Sequence, residues 1–173
     1  MSLGDLIDPG GRDTAHVYLD VRFGKNLDQR PFEYQLLNDD EGFLEFDETP
    51  VPDDNDPDIR LTGPVVFDTW AENAEGALYV VLYPVPADRL SEFDSWFAQE
   101  HTPVLLGARG WLRTRLFAPE DGPVTRVAVH YIANPLAMES DERTLSVRTP
   151  RADDVLDAAW TGEVREFLAL SGK

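Results

Sequence analysis

One stretch of the chain, Ala77 to Ala133, constrains the fold more than any other, because its elements follow one another in a restrictive order. Ala77 to Val85 is an unbroken apolar run of strand length, and Trp111 to Phe117 and Val124 to Ala133 are two further strand-like runs. Apolar residues at helical spacing fill the interval between the first run and the second. The stretch therefore predicts a strand, a helix, a strand, a turn and a strand.

The predicted helix has signals at both ends. Asp88 follows a proline and is a suitable N-cap. Pro103 disfavours helical geometry at the preceding residue, Thr102, so the helix is expected to end or kink there. Gly107 and Gly110 then allow the chain to turn towards the second strand.

This order of elements is the first three-quarters of a βαββαβ unit, so the expected fold class is α+β and ferredoxin-like. Two sources of the fourth strand stay open: Thr144 to Thr149 alternates like a strand, and the N-terminal region offers others. One or two helices are predicted within Ala152 to Leu170. We assign residues 76–173 to one ferredoxin-like domain.

Residues 1–75 carry 19 acidic and 5 basic side chains, a net of −14, whereas residues 76–173 carry 14 and 10, a net of −4. His16 to Phe23 and Pro64 to Asp68 are predicted strands, and Phe32 to Leu37 with Gly42 to Phe46 is a predicted hairpin. We therefore predict an acidic, β-rich N-terminal extension. Its Asp-rich segment, Val51 to Asp58, lacks the EF-hand spacing and is expected to be a loop rather than a metal site.

The composition excludes several classes of function. A formal net charge of −18 repels phosphate, so neither nucleic acid nor an anionic membrane is an expected partner. Cysteine is absent, which excludes disulfides and thiol nucleophiles. No apolar run approaches the roughly 20 residues that span a bilayer, and the first residues lack a signal-peptide pattern. A cytoplasmic location is expected.

A motif overlaps the helix and the second strand. It consists of a Trp-aromatic pair, then Glu-His-x-Pro, apolar residues, a glycine and a strand with arginines. In this chain the motif is Trp96-Phe97, Glu100-His101, Pro103, Leu105-Leu106, Gly110 and Arg113-Arg115. This pattern resembles the EthD-like branch of the dimeric α/β-barrel superfamily.

The resemblance carries expectations about assembly and function. It implies a homodimer in which two sheets close a barrel, unless the N-terminal region covers the open face of the sheet instead. It also implies ligand sites inside that barrel. The superfamily includes cofactor-free oxygenases, isomerases and cyclases, so the fold alone does not define the reaction.

Two histidines are candidate site residues. His101 lies on the apolar stripe near the helix end, where an imidazole can act as an acid or base near neutral pH. The alternative is that His101 satisfies the terminal carbonyls of its helix. His130 lies mid-strand and joins the pocket if it faces inward; otherwise it is a hydrogen-bonded wall residue.

Five further residues are candidates for substrate binding. Arg113 and Arg115 share a strand face with Trp111 by alternation, and together they suit a flat anionic ligand. The alternative for the arginines is an exposed, salt-bridged row. Tyr79 and Tyr83 share a face of the first strand and are either pocket hydroxyls or core residues.

These patterns predict a small-molecule-binding protein. The first hypothesis is an enzyme that acts on an aromatic or polyketide-like compound without a bound cofactor, with His101 as acid or base and an arginine orienting the substrate. The alternative is a non-catalytic dimeric binding or stress-related protein that uses the same cavity. No P-loop, GxSxG, GxGxxG or HExxH pattern adds another reaction class.

Overall fold

The computed structural model describes residues 15–23, 34–37, 42–48, 57–69, 76–157 and 164–171. Its strands in these ranges are β1 (His16–Phe23), β2 (Tyr34–Leu36), β3 (Gly42–Asp47), β4 (Ile59–Asp68), β5 (Ala77–Tyr83), β6 (Trp111–Phe117), β7 (Arg126–Ile132) and β8 (Arg165–Ser171). Its α-helices are α1 (Leu90–Trp96), α2 (Thr102–Leu105), α3 (Asp141–Ser146) and α4 (Ala152–Val155). A π-helical turn, Phe97–His101, joins α1 to α2, and short 3₁₀ turns span Ala87–Arg89 and Pro135–Glu139.

The second half of the chain forms the predicted ferredoxin-like unit. Its strands lie in the order β8-β5-β7-β6, and all of them pair antiparallel. The fourth strand is β8, which neither of the two proposed sources includes. Residues 144–149 form the end of α3 and a turn instead. The helices predicted up to Leu170 are wrong in their last part, because a short apolar run fits both periods and pairing with β5 selects the strand.

The first half of the chain completes a closed barrel. Strands β1 and β4 pair with each other, and the full order is β1-β3-β2-β8-β5-β7-β6-β4. The predicted strand β1 and the predicted hairpin of β2 and β3 are confirmed. Strand β4 begins at Ile59, five residues before its predicted start. The predicted boundary between the extension and the domain, at residue 75, falls between β4 and β5. Both strands belong to the same barrel.

Apolar side chains make up most of the barrel interior. Every strand contributes at least one buried residue to a single cluster, which is the expected packing for an eight-stranded barrel. Its members are Val17, Leu19, Val21, Leu36, Leu44, Phe46, Val65, Leu78, Val80, Leu82, Phe117, Val127, Val129, Phe167 and Ala169. Strands of the same chain cover this face of the sheet, so the barrel closes within one chain; this is the stated alternative, in which the N-terminal region and not a second copy covers the open face.

A second cluster lies between the sheet and the helices. Phe93, Trp96 and Phe97 pack onto the opposite face of β5, where they meet Tyr79 and Val81. Strand β5 is therefore buried along its whole length on both faces, which explains why its sequence is apolar without alternation. In the described part of the chain the helices cover one side of the sheet, as in other ferredoxin-like folds.

Proline decides the local geometry at the end of α1. The backbone N–H of Thr102 donates to the carbonyl of Phe97, five residues earlier, and Thr102 keeps helical dihedral angles. A proline one residue later has no N–H and its ring crowds the carbonyl four residues before it, so a wider turn relieves the clash. The expected kink is thus a π turn. The predicted cap at Asp88 is wrong, since α1 begins after a 3₁₀ turn with no side-chain cap.

None of the helices in the described part of the chain is long and apolar enough to span a membrane.

Candidate functional site

A cavity of about 190 Å³ lies between the helices and the sheet, on the face opposite the barrel interior. Its wall contains five of the seven residues predicted from the sequence and several that were not predicted. The lining residues are Tyr79, Tyr83, His101, Leu105, Trp111, His130, Arg143, Ser146, Val147 and Glu166. The resemblance implied ligand sites inside the barrel, whereas this cavity lies on the helix side of the sheet, at the end of the helical segment that carries His101.

The π turn places His101 in the cavity wall. Its ring lies 4.7 Å from the ring of Trp96 and 5.1 Å from that of Phe97, centroid to centroid, and the residue is 4% exposed. Burial is the main cause that lowers the pKa of His101 to about 4; a backbone hydrogen bond to Ser146 opposes this shift and the positive charge of Arg143 adds to it. The imidazole is therefore neutral at neutral pH.

A hydrogen bond assigns the tautomer of His101. Its Nδ1 lies 3.1 Å from the carbonyl oxygen of Ser146, on α3. A carbonyl only accepts, so Nδ1 carries the hydrogen and Nε2 keeps its lone pair. His101 thus does not cap its own helix, which was the alternative interpretation. Glu100 points elsewhere and pairs with Arg151, so adjacent residues form no Glu–His dyad here.

His130 lies beside His101 on the floor of the cavity. The two ring centroids are 6.0 Å apart, and the His130 ring also stacks on Tyr79 at 5.6 Å and meets Trp111 at 5.2 Å. Its Nδ1 is 2.9 Å from the hydroxyl oxygen of Thr114 on the neighbouring strand. Burial first, and then the electrostatic interactions with His101 and Arg143, hold the pKa of His130 well below its usual value, so this ring is also neutral.

Three polar side chains, one each from β5, β8 and α3, form a hydrogen-bonded cluster on one side of the cavity. The hydroxyl of Tyr79 donates to Oε1 of Glu166 on β8 at 2.5 Å, and Nη2 of Arg143 on α3 donates to the same hydroxyl oxygen at 3.5 Å. Burial and the neighbouring carboxylate raise the pKa of Tyr79, and burial raises that of Tyr83. Both phenols keep their protons at neutral pH.

Sequence reasoning missed Arg143 and Glu166 for a definable reason. The sequence predicted a strand at residues 144–149 and helix in the run to Leu170. The direction in which the side chains of Arg143 and Glu166 point was therefore not predicted. Only the pairing of β8 with β5 brings Glu166 to Tyr79. A basic residue in a short amphipathic helix after β7 was the available signal.

The two predicted arginines lie away from the cavity. A bulge at Leu112 shifts the pairing, because Trp111 is opposite Ile132 whereas Arg113 is opposite Tyr131. The extra residue turns Trp111 towards the helices and the arginines towards the other face. The prediction that all three share one face is therefore wrong.

The arginines instead form a buried ion-pair cluster with Asp68. Nη2 of Arg113 is 2.5 Å and Nε of Arg115 is 3.1 Å from Oδ2 of Asp68, and Arg115 also reaches Glu48 at 2.9 Å. Asp68 and Arg115 are each 3% exposed, so this is not the exposed row considered as the alternative. Within the described ranges no three His, Cys, Asp or Glu side chains are arranged to hold a metal ion.

The closed barrel of a ferredoxin-like unit, with a polar cavity beneath its helices, belongs to the dimeric α/β-barrel class of folds. No family model and no curated protein sequence matches the chain. Among solved structures, the chain is similar to a major regulator of staphylococcal pathogenesis, with 13% identity and a TM-score of 0.63 over 91% of this chain and 99% of that one.

Two further solved structures extend the comparison. An anthrone oxidase-like protein has 10% identity and a TM-score of 0.63 over 92% of both chains. A heme-degrading enzyme from Listeria monocytogenes has 9% identity and a TM-score of 0.55 over 90% of this chain and 99% of that one. Other matching structures are monooxygenase-like proteins. At these identities the likeness shows the fold, whereas function must be argued from the site.

The depressed pKa of His101 predicts a pH dependence of stability. The unfolded chain takes up this proton near pH 6.5 and the folded protein only near pH 4, so the contribution of His101 is complete above about pH 6.5 and is lost as the pH falls towards 4. Urea unfolding between pH 7 and 4 should therefore show a shallower loss of stability in His101→Gln than in the wild type. Parallel curves would contradict the buried, neutral state of His101.

Proposed function

We propose that this protein is a cofactor-independent enzyme that binds a small hydroxyaromatic compound and removes a proton from it. His101 is the base, and Arg143 takes the orienting role that the sequence had suggested for Arg113 or Arg115. The observation that carries the proposal is the position of a neutral imidazole with an unprotonated Nε2 in the wall of a cavity that also contains a guanidinium group.

The chemistry follows from these two groups. His101 Nε2 takes the hydroxyl proton, and the charge left on the ligand oxygen spreads to the ring carbons ortho and para to it. The guanidinium of Arg143 offsets that charge, and the anion in turn raises the pKa of the imidazolium next to it. A charged carbon then takes up a proton from solvent, the same carbon loses its original hydrogen to solvent as the ring regains aromaticity, and the phenolate oxygen takes the proton back from His101.

The walls suit a flat, apolar ring. Tyr79, Tyr83 and Trp111 offer aromatic surfaces, and Leu105 and Val147 offer aliphatic ones. A volume of about 190 Å³ is smaller than the roughly 300–1,000 Å³ of pockets for drug-sized ligands, which favours a single ring. A porphyrin is larger than such ligands, so heme degradation, the activity of one structural neighbour, is a less suitable proposal for this cavity. Anthrone has three fused rings and is disfavoured on the same ground.

The test uses 1,3,5-trihydroxybenzene in D₂O at neutral pH. Proton removal from its hydroxyl group makes the ring carbons basic, so each catalytic cycle replaces a ring hydrogen with deuterium, which proton NMR follows directly. We expect saturable exchange in the presence of the protein, well above the rate in buffer. Binding without faster exchange would contradict the enzymatic proposal and support the non-catalytic binding protein, while no binding would contradict both.

The remaining parts of this proposal come from the sequence. The EthD-like branch, the homodimer and the cytoplasmic location stay predictions. The homodimer now needs a surface outside the barrel interior, because strands β1, β3 and β4 occupy the face expected to bind the second copy.

A further inference from the structure

We propose that Thr114 determines which ligands the cavity accepts, because it fixes the tautomer of His130 and so makes the two histidines a matched acceptor and donor for one neutral hydroxyl group. This inference deepens the proposed function, on which it rests for the position of the ligand. It concerns recognition, however, and holds or fails independently of catalysis.

The first half of the pair is His101. Its Nδ1–H donates to the carbonyl of Ser146 at 3.1 Å, so Nε2 is a hydrogen-bond acceptor. The residue is buried, and no hydrogen bond of this Nε2 is present in the described part of the chain. A ligand in the cavity that donates a hydrogen bond can therefore pair with this acceptor.

The second half is His130, whose tautomer follows from Thr114. The hydroxyl of Thr114 is fully buried, and its one hydrogen-bond contact among the described residues is with Nδ1 of His130, at 2.9 Å. A buried hydroxyl donates its hydrogen where an acceptor is available. Thr114 then donates to Nδ1, and the ring hydrogen of His130 lies on Nε2.

The distance between the two rings suits one bridging group. Their centroids are 6.0 Å apart and their planes are inclined by 62°. A hydroxyl oxygen between them can donate to one ring and accept from the other with hydrogen bonds of about 2.8 Å each. A carbonyl or an ether oxygen at this position can only accept, so its lone pairs meet that of His101 Nε2 and it gains little from the His130 donor; a carboxylate adds a negative charge to the same repulsion. The expected ligand class is therefore a neutral phenol or enol.

The tautomers have a direct spectroscopic signature. Long-range proton–nitrogen NMR spectra of the wild-type protein at pH 7 distinguish a protonated from an unprotonated ring nitrogen. We expect the hydrogen on Nδ1 in His101 and on Nε2 in His130. A wild-type spectrum with the hydrogen of His130 on Nδ1 would overturn the inference without any variant.

The ligand preference is tested with phenol, anisole, benzaldehyde and benzoate as probes in NMR titrations. We expect phenol to bind at least about tenfold more tightly than the other three, the worth of one well-placed hydrogen bond. In Thr114→Val, which keeps the shape of the side chain, phenol should lose about tenfold and the others little. Thr114→Ser restores the donor and should restore the preference.

The outcomes separate this inference from the proposed function. Phenol selectivity with no deuterium exchange would contradict the enzyme and leave the role of Thr114 intact. If Thr114→Val keeps both the exchange activity and the preference for phenol, the role of Thr114 is contradicted and the enzymatic proposal stays intact. Equal affinities for phenol and anisole in the wild type would overturn the recognition of a hydroxyl group.

Discussion

Replacement of His101 with Gln is expected to slow deuterium exchange into 1,3,5-trihydroxybenzene by about a hundredfold or more, the usual contribution of a general base. The glutamine amide can still donate to the carbonyl of Ser146, so the change removes proton transfer and keeps the contact with α3. Affinity for the ligand should change little, which places the loss in the chemical step. Exchange rates and NMR titrations of the same samples measure both quantities.

The adjacent residue supplies a matched control. Glu100 pairs with Arg151 and does not line the cavity, so Glu100→Gln perturbs the same helical turn without removing the base. Its exchange rate should stay near that of the wild type. A similar loss of rate in both variants would show that the turn, and not the imidazole, is needed, and the catalytic role of His101 would be refuted.

Replacement of Asp68 with Ala is expected to lower the free energy of unfolding by about 3–5 kcal/mol. Asp68 is the buried carboxylate between Arg113 and Arg115, and its loss leaves their charges without this partner in a site where Arg115 is 3% exposed. Removal of one partner from a buried ion pair lowers the free energy of unfolding by more than the intact pair contributes, because the remaining charge stays buried without compensation. Urea unfolding at pH 7 measures the change.

Glu48 tests whether burial causes this effect. It contacts the same Arg115 at 2.9 Å, but its side chain is 58% exposed. Glu48→Ala should therefore cost about 0–1 kcal/mol, the range for exposed ion pairs. Comparable losses in the two variants would contradict the assignment of Asp68 as the buried centre of the cluster.

Local sequence patterns predicted an element correctly where the residues of that element alone determine its structure. The strands at Trp111–Phe117 and His16–Phe23 were predicted with their observed bounds, because β-branched and aromatic residues suit a pleated, buried surface. The unbroken apolar run of β5 indicated a buried strand, and its residues are divided between the two cores. His101 was a candidate because an imidazole on an apolar stripe is unusual.

Longer-range structure decided the remaining features. The run before Leu170 has a pattern that suits a helix or a strand, and pairing with β5 selects the strand, which brings Glu166 to the cavity. A single bulged residue, Leu112, places Trp111 on the face of β6 opposite the two arginines, and no local sequence pattern predicts this bulge.

The sequence by itself determined the first three-quarters of the ferredoxin-like order of elements and the candidate histidines, because hydrophobic period and residue type act locally. Only the tertiary structure decided that the N-terminal strands close the barrel within one chain and that the cavity lies beneath the helices. Both outcomes depend on which apolar face of the sheet packs against the N-terminal strands and which packs against the helices. Burial is the free energy of contacts between segments far apart in the chain, so the pattern of either segment alone does not contain it.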